Sequence, residues 1–246
     1  MQELLEEEIK LQQIQELPMK MMQFVSLINP TDAIHAIDRI IDKRKDAILI
    51  HNSSFMTGLY YELSGLCQTE NCLTILAALE ILKNRGYEIS KKDYHTGFSD
   101  VCEMTGLMGR WQKLQSYPDV ICDTGHNADG FKCIRQQLNY IHNKLNQELH
   151  IVFGMVNDKD ISSVLELLPK DATYYFTKAS VKRALPEDEL MKMASEAGLK
   201  GTSYPTVADA VRAAKENCPP KDFIFVGGSN FIVADLLANR DTLNLY

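Results

Sequence analysis

No apolar run in the 246 residues approaches the roughly 18 needed to span a membrane, and the acidic opening MQELLEEEIK lacks the basic-then-apolar order of a signal peptide. The chain is therefore expected in the cytoplasm, without a membrane partner. Basic tracts are missing too. Lys and Arg number 26 against 33 Asp and Glu, a net charge of −7, with no cluster suited to neutralising phosphate backbones, which argues against nucleic acid. Glycine (13) and proline (8) are scarce, excluding collagen-like and low-complexity chains, while 45% hydrophobic and 24% charged residues fit an ordinary globular protein. None of the six cysteines forms a CxxC pair, so they read as reduced, structural thiols and no metal site is expected of them. HExxH, GxGxxG and a defensible Ser-His-Asp set are absent, and so is the GxxxxGK[ST] phosphate loop.

What is present falls into three stretches. Residues 1–45 are acidic and rich in Gln and Met, with no glycine before Gly58, and pattern as two helices on either side of Pro18. The second starts at Pro30-Thr31-Asp32 and carries Ile34, Ile37, Ile40 and Ile41 on one face. Short strands are expected at 47–50 and 59–63, with a loop through Asn52-Ser53-Ser54 between them. A helix follows from Asn71 to its stop at Gly86, then a polar stretch to about Gly97.

Beyond residue 117 strand and helix patterns alternate. Strands are read at 119–123, 149–154, 172–177, 202–204 and 222–227, and helices near 128–146, 160–168, 186–197, 206–217 and 230–239. Buried apolar strands in a βα series imply an α/β fold, Rossmann-like, with a mainly parallel sheet covered by helices on both faces and preceded by a small helical N-terminal segment.

In such sheets the loops leaving the C-terminal strand ends line one rim, where ligands bind. Asp123 leaves its strand into a turn at Gly125, so its carboxylate suits either ribose hydroxyls or the turn itself. His126 is read as a donor toward phosphate or acyl oxygen or as a cap on the next helix, and Asn127 as that helix's N-cap. Gly227-Gly228-Ser229-Asn230 reads as an anion nest or as a tight turn. Arg110, flanked by Gly109 and the only tryptophan, Trp111, either aims a permanent charge at the rim or is a surface arginine packed on the indole. Lys159, Lys182 and Arg183 read as solvated or internally paired.

The stretch Gly106 to Gly130, GLMGRWQKLQ followed by PDVICDTGHNADG, resembles the folylpolyglutamate synthase/dihydrofolate synthase family, the folate branch of the Mur-type ATP-dependent amide ligases. The likeness continues through IVFGMVNDKDI at 151–161, YYFTKASVKRALP at 174–186 and DFIFVGGSNFIVADLL at 222–237, and begins at CQTENCLTILAALEIL, 67–82. His126-Asn127 after the aspartate favours the folate branch over the peptidoglycan one. The resemblance implies a central ATP-binding domain and a Rossmann-like C-terminal domain. It also implies phosphorylation of a folate or dihydropteroate carboxylate by ATP with Mg²⁺, then attack of the glutamate amine on the acyl phosphate. By that resemblance Asn71 and Arg110 correspond to nucleotide contacts, Asp123 to the ribose-side contact, and His126 and Ser229 to catalytic residues near the γ-phosphate or incoming glutamate.

The family's phosphate-loop domain, which carries the magnesium ligands, needs far more than the 70 residues ahead of Asn71, and residues 1 to about 45 do not resemble it. The expected organisation is a helical segment at 1–45, a remnant of the central domain at 46–96 and a Mur-ligase-type C-terminal domain at 97–246. Such a chain is not expected to ligate glutamate alone. The competing reading is a non-catalytic nucleotide- or partner-binding α/β module that self-associates through residues 1–45; a third is a peptidoglycan-type ligase fragment.

Overall fold

A computed structural model describes residues 47–48, 59–157 and 160–245. The two helices expected within 1–45, and the loop at 52–54, lie outside the described residues. The chain divides into two compact units, one of residues 1–63 and 68–107, the other of 64–67 and 108–246. The units change over between Leu107 and Met108.

In the first unit β1 (Ala47–Ile48) pairs antiparallel with β2 (Leu59–Tyr60). Helix α1 (Leu66–Asn84) begins five residues before the expected Asn71, and its C-terminal end runs into the Gly86 turn. The expected polar stretch holds two further helices, α2 (Lys91–Ser99) and α3 (Val101–Thr105). Ser90-Lys91-Lys92-Asp93 starts α2 as a capping box: the Asp93 amide donates to Ser90 Oγ, and the Ser90 amide donates to Asp93 Oδ2 at 2.7 Å. Leu59, Cys72, Tyr94 and Phe98 form this unit's core.

The second unit holds six strands in the order β3-β4-β8-β5-β6-β7: β3 (Gln112–Gln115), β4 (Asp119–Asp123), β5 (Leu149–Phe153), β6 (Ala172–Thr177), β7 (Lys200–Tyr204) and β8 (Phe223–Gly227). All neighbours are parallel except β3, which pairs antiparallel with β4 through a hairpin that the sequence reading lacks. The central strands β5 and β8 are buried throughout, as continuous apolar runs in a parallel sheet require.

Strand alternation splits the core into two layers. Ile121, Ile151, Phe153, Tyr174, Phe176, Phe223 and Phe225 face α4 (Ala128–Leu145), α5 (Ile161–Leu167) and α6 (Glu187–Glu196). Val120, Cys122, Val152, Tyr175, Ile224 and Val226 face α7 (Val207–Asn217) and α8 (Asn230–Ala238). The fold is thus α/β, mostly parallel, with helices on both faces. Cys122 and Cys218 pack as small apolar side chains, and burial pushes both thiols up to about 12.

Candidate functional site

β8 lies between β4 and β5, and its C-terminal residue Gly227 is in register with Asp123 on one side and Phe153 on the other. The helices following β4 and β5 pack on one face of the sheet and the helix following β8 on the opposite face. Chains leaving neighbouring strands toward opposite faces open a crevice at the carboxyl ends, the place where sheets of this kind hold ligands.

Glycines make this rim tight. Gly228 has φ +102°, and a Cβ there would stand 2.4 Å from the Gly154 carbonyl oxygen and 2.7 Å from the Phe153 ring. The Gly154 amide donates to the Gly227 carbonyl at 3.3 Å. Close backbone approach between the ends of β5 and β8 accounts for Gly228. Ser229 is buried and is the N-cap of α8, its Oγ accepting from the Phe231 amide at 3.1 Å.

Asp123 has both carboxylate oxygens engaged by backbone. Oδ1 accepts from the Gly125 amide at 2.7 Å and Oδ2 from the Trp111 amide at 2.8 Å. Burial pushes this carboxyl up, while the two amides and the Arg110 guanidinium pull it back. The turn role is therefore filled, and the same carboxylate also ties down the preceding loop. Trp111, at φ +46°, stacks on Phe223 (centroids 6.4 Å) and contacts Phe225 (5.8 Å), so its ring is anchored in the core. Arg110 is exposed between these anchors.

His126 does not cap α4. Asn127 does, with Oδ1 accepting from the Gly130 amide at 2.8 Å. His126 Nδ1 lies 3.0 Å from the Thr124 carbonyl, a contact that assigns the proton to Nδ1, since a carbonyl oxygen can only accept. Arg183, in the loop after β6, lies over the Phe231 ring at 4.7 Å in the first turn of α8. Ser180 anchors that loop, its amide and hydroxyl both donating to Asp235 at 2.7 and 2.8 Å. Lys159 lies outside the described residues.

Asn71 belongs to the other unit. It is exposed on α1, donates from Nδ2 to Gln68 Oε1 at 3.0 Å, and lines a cavity of about 310 Å³ whose walls include Tyr61, Cys72, Tyr94 and Phe98. Four of the five expected site residues, Arg110, Asp123, His126 and Ser229, thus gather at strand ends of one sheet. Sequence reasoning missed Gln112, whose Oε1 accepts from the Gly109 amide at 2.8 Å, because it missed strand β3. The Tyr117-Pro118-Asp119 turn directly before β4 is the signal that marks that hairpin. Among the described residues no group of three or more His, Cys, Asp and Glu could hold a metal ion, so no Mg²⁺ ligand set is assigned here. No helix among them is long and apolar enough to cross a membrane.

Residues 109–230 match the family model for the Mur ligase, glutamate ligase domain. A dihydrofolate synthase/folylpolyglutamate synthase of Buchnera aphidicola subsp. Schizaphis graminum is 28% identical over 171 residues, 69% of this chain and 39% of that protein. A UDP-N-acetylmuramoyl-L-alanyl-D-glutamate–2,6-diaminopimelate ligase of Buchnera aphidicola subsp. Baizongia pistaciae is 26% identical over 224 residues, 87% of this chain and 42% of that protein. Among solved structures, E. coli FolC in complex with DHPP and ADP superposes with TM-score 0.60 at 24% identity, over 76% of this chain and 42% of that one. Mycobacterium tuberculosis folylpolyglutamate synthase complexed with ADP gives TM-score 0.62 at 22% identity, over 77% and 43%. At these identities the structures bear on the fold. The chain spans about 40% of the length of the dihydrofolate synthase relatives it matches. Residues 109–230 thus carry a Mur ligase, glutamate ligase domain, in a chain similar in sequence to folylpolyglutamate synthase/dihydrofolate synthases.

Proposed function

We propose that the chain is the C-terminal part of a folate-type amide ligase, acting in the cytoplasm, and that its strand-end rim positions ATP and the incoming glutamate while phosphoryl transfer depends on a phosphate loop outside these 246 residues. The observation that carries the reading is the exposed Arg110, held on an ordered loop beside Asp123 at the crevice above β8. Arginine is permanently charged and forks onto phosphate oxygens, so an arginine fixed there suits an anionic ligand. His126 lies on the turn after β4, and Ser229 caps the helix after β8. In this reading the two act on developing charge at a phosphate or acyl oxygen. Residues 46–96, with Asn71, are what remains of the central domain.

Bound ATP with Mg²⁺ would supply the activated phosphoryl group. Such transfer is catalysed mainly by positioning and by metal and phosphate-cradle charges, and neither the GxxxxGK[ST] loop nor a metal-ligand cluster among the described residues is present to supply them. The purified chain is therefore expected to bind nucleotide without forming product. Photolabelling with 8-azido-ATP, followed by peptide mapping, should mark peptides spanning 106–127 and lose the label when ADP competes. A parallel assay with ATP, Mg²⁺, dihydropteroate or tetrahydrofolate and labelled glutamate should yield no amide. Labelling that ADP does not displace would refute the nucleotide site, and ATP-dependent γ-glutamyl product would refute the dependence on a separate phosphate loop.

A further inference from the structure

We propose that the cavity of the first unit is a binding site for a neutral, apolar molecule the size of a fused bicyclic ring, with Gly97 leaving open the space that the ligand fills. The cavity, of about 310 Å³, lies wholly within that unit, so the inference is independent of the nucleotide reading of the strand-end rim. A stripe on each of two helices walls it. On α1 the stripe is Gln68, Asn71, Cys72, Ile75 and Leu79, at helical spacing, and on α2 it is Asp93, Tyr94, Gly97 and Phe98. Cys72, Tyr94 and Phe98 are buried and belong to this unit's core, so the cavity is a gap in that core as well as an opening at its surface. Ile75, 45% exposed, marks the mouth.

The walls select for apolar chemistry. The carboxamides of Asn71 and Gln68 bond to each other, Nδ2 of Asn71 donating to Oε1 of Gln68 at 3.0 Å. Asp93 turns its carboxylate to its own helix start, Oδ2 accepting from the Ser90 amide at 2.7 Å and from the Ser90 hydroxyl at 2.6 Å. Burial pushes the Cys72 thiol up to about 12, which keeps that wall uncharged at neutral pH. The rest of the lining is mostly aliphatic and aromatic, and the rings of Tyr61, Tyr94 and Phe98 favour a flat ligand. Volume sets its size. An apolar cavity of about 150 Å³ stays dry and takes up benzene, so one of about 310 Å³ suits a second, fused ring. Gly97 lies inside α2, where glycine is less favourable than alanine, and its φ is not left-handed. A Cβ there would meet nothing within 4 Å. Neither backbone nor packing calls for glycine at this position, and what its missing side chain provides is room in the cavity.

The test uses the full chain with quinoline, a fused two-ring base that is neutral at neutral pH, and pyridine, its one-ring counterpart, both followed by saturation-transfer NMR. Quinoline should receive saturation from the wild type and bind roughly tenfold more tightly than pyridine, because the second ring adds buried apolar area. Gly97→Leu, which puts a side chain into the gap, should weaken quinoline binding about tenfold or more. Gly97→Ala adds a single methyl and should keep most of the affinity. Far-ultraviolet circular dichroism checks that both variants fold. Should Gly97→Leu fail to fold, Ile75→Phe fills the mouth instead and should weaken quinoline in the same way. ADP should leave the quinoline signal unchanged. No transfer to quinoline from a folded wild type, as when another part of the chain fills the space, would overturn the proposal. Equal quinoline binding in the filling variant and in Gly97→Ala would overturn it too, and so would displacement by ADP, which would make the cavity part of the nucleotide site.

Discussion

Gly228→Ala tests whether the rim is built by close backbone approach. A side chain at φ +102° carries a backbone strain of about 1–2 kcal/mol. The new methyl would also stand 2.4 Å from the Gly154 oxygen, against an ordinary contact of 3.4 Å or more, and 2.7 Å from the Phe153 ring. Relief requires parting the ends of β5 and β8, which the Gly154-to-Gly227 bond holds together. Overpacking of that kind adds about 1–3 kcal/mol, for a total near 3 kcal/mol. Gly198→Ala is the control, since Gly198 has φ +81° in the same unit but nothing within 4 Å, leaving about 1 kcal/mol of backbone strain. Urea unfolding followed by Trp111 emission reads this unit, because the indole packs on Phe223 and Phe225. Equal losses in the two variants would refute the close-approach account.

Other perturbations separate structural from ligand roles. Asn127→Ala should cost about 1 kcal/mol as a lost helix cap, with Asn127→Ser recovering most of it and ADP affinity unmoved in both; weakened ADP binding would make Asn127 a ligand contact. Thr177, the last residue of β6, is fully buried with its hydroxyl unpartnered, so Thr177→Val should leave the thermal midpoint unchanged or raise it. A clear fall would show that the hydroxyl has a partner. His150 on β5 is buried, with Nδ1 3.0 Å from the Tyr175 hydroxyl, and burial pulls its pKa below the ordinary value, partly offset by Asp222 and Glu148. The neutral form is favoured in the folded state, so stability is held above the unfolded value near 6.5 and lost as pH falls below it. Urea midpoints from pH 7.5 to 5 should show that loss, and His150→Gln should flatten it; an unchanged slope would refute it.

The sheet was legible because β4, β5, β6 and β8 are short, largely apolar and aromatic segments and their helices carry clean starts, such as Asn127 for α4 and Pro186 with Glu187, Asp188 and Glu189 for α6. Strand β3 was missed because Gln112-Lys113-Leu114-Gln115 carries one apolar residue, and its pairing is set by β4 across a turn. Helix α2 was missed because its segment is polar, although Ser90-Lys91-Lys92-Asp93 is a capping box in plain view. Asp123, Arg110, His126 and Ser229 were read as rim residues from their places beside strand ends. What they bond to was not legible, because the partners of Asp123 are backbone amides at Trp111 and Gly125, which no pattern of side chains encodes. The five-residue early start of α1 reflects a beginning with no capping residue to mark it: Leu66 donates its amide to Gln137 Oε1 at 2.7 Å, a partner 71 residues away.

The central claim is that the rim above β4, β8 and β5 binds nucleotide through Arg110. Calorimetric titration of the full chain with ADP and Mg²⁺, beside Arg110→Ala, tests it most directly. Saturable binding to the wild type is expected, weakened tenfold or more in Arg110→Ala with the thermal midpoint unchanged, since the side chain is exposed. Equal affinity in the two proteins, or no heat of binding from a folded wild type, would contradict it.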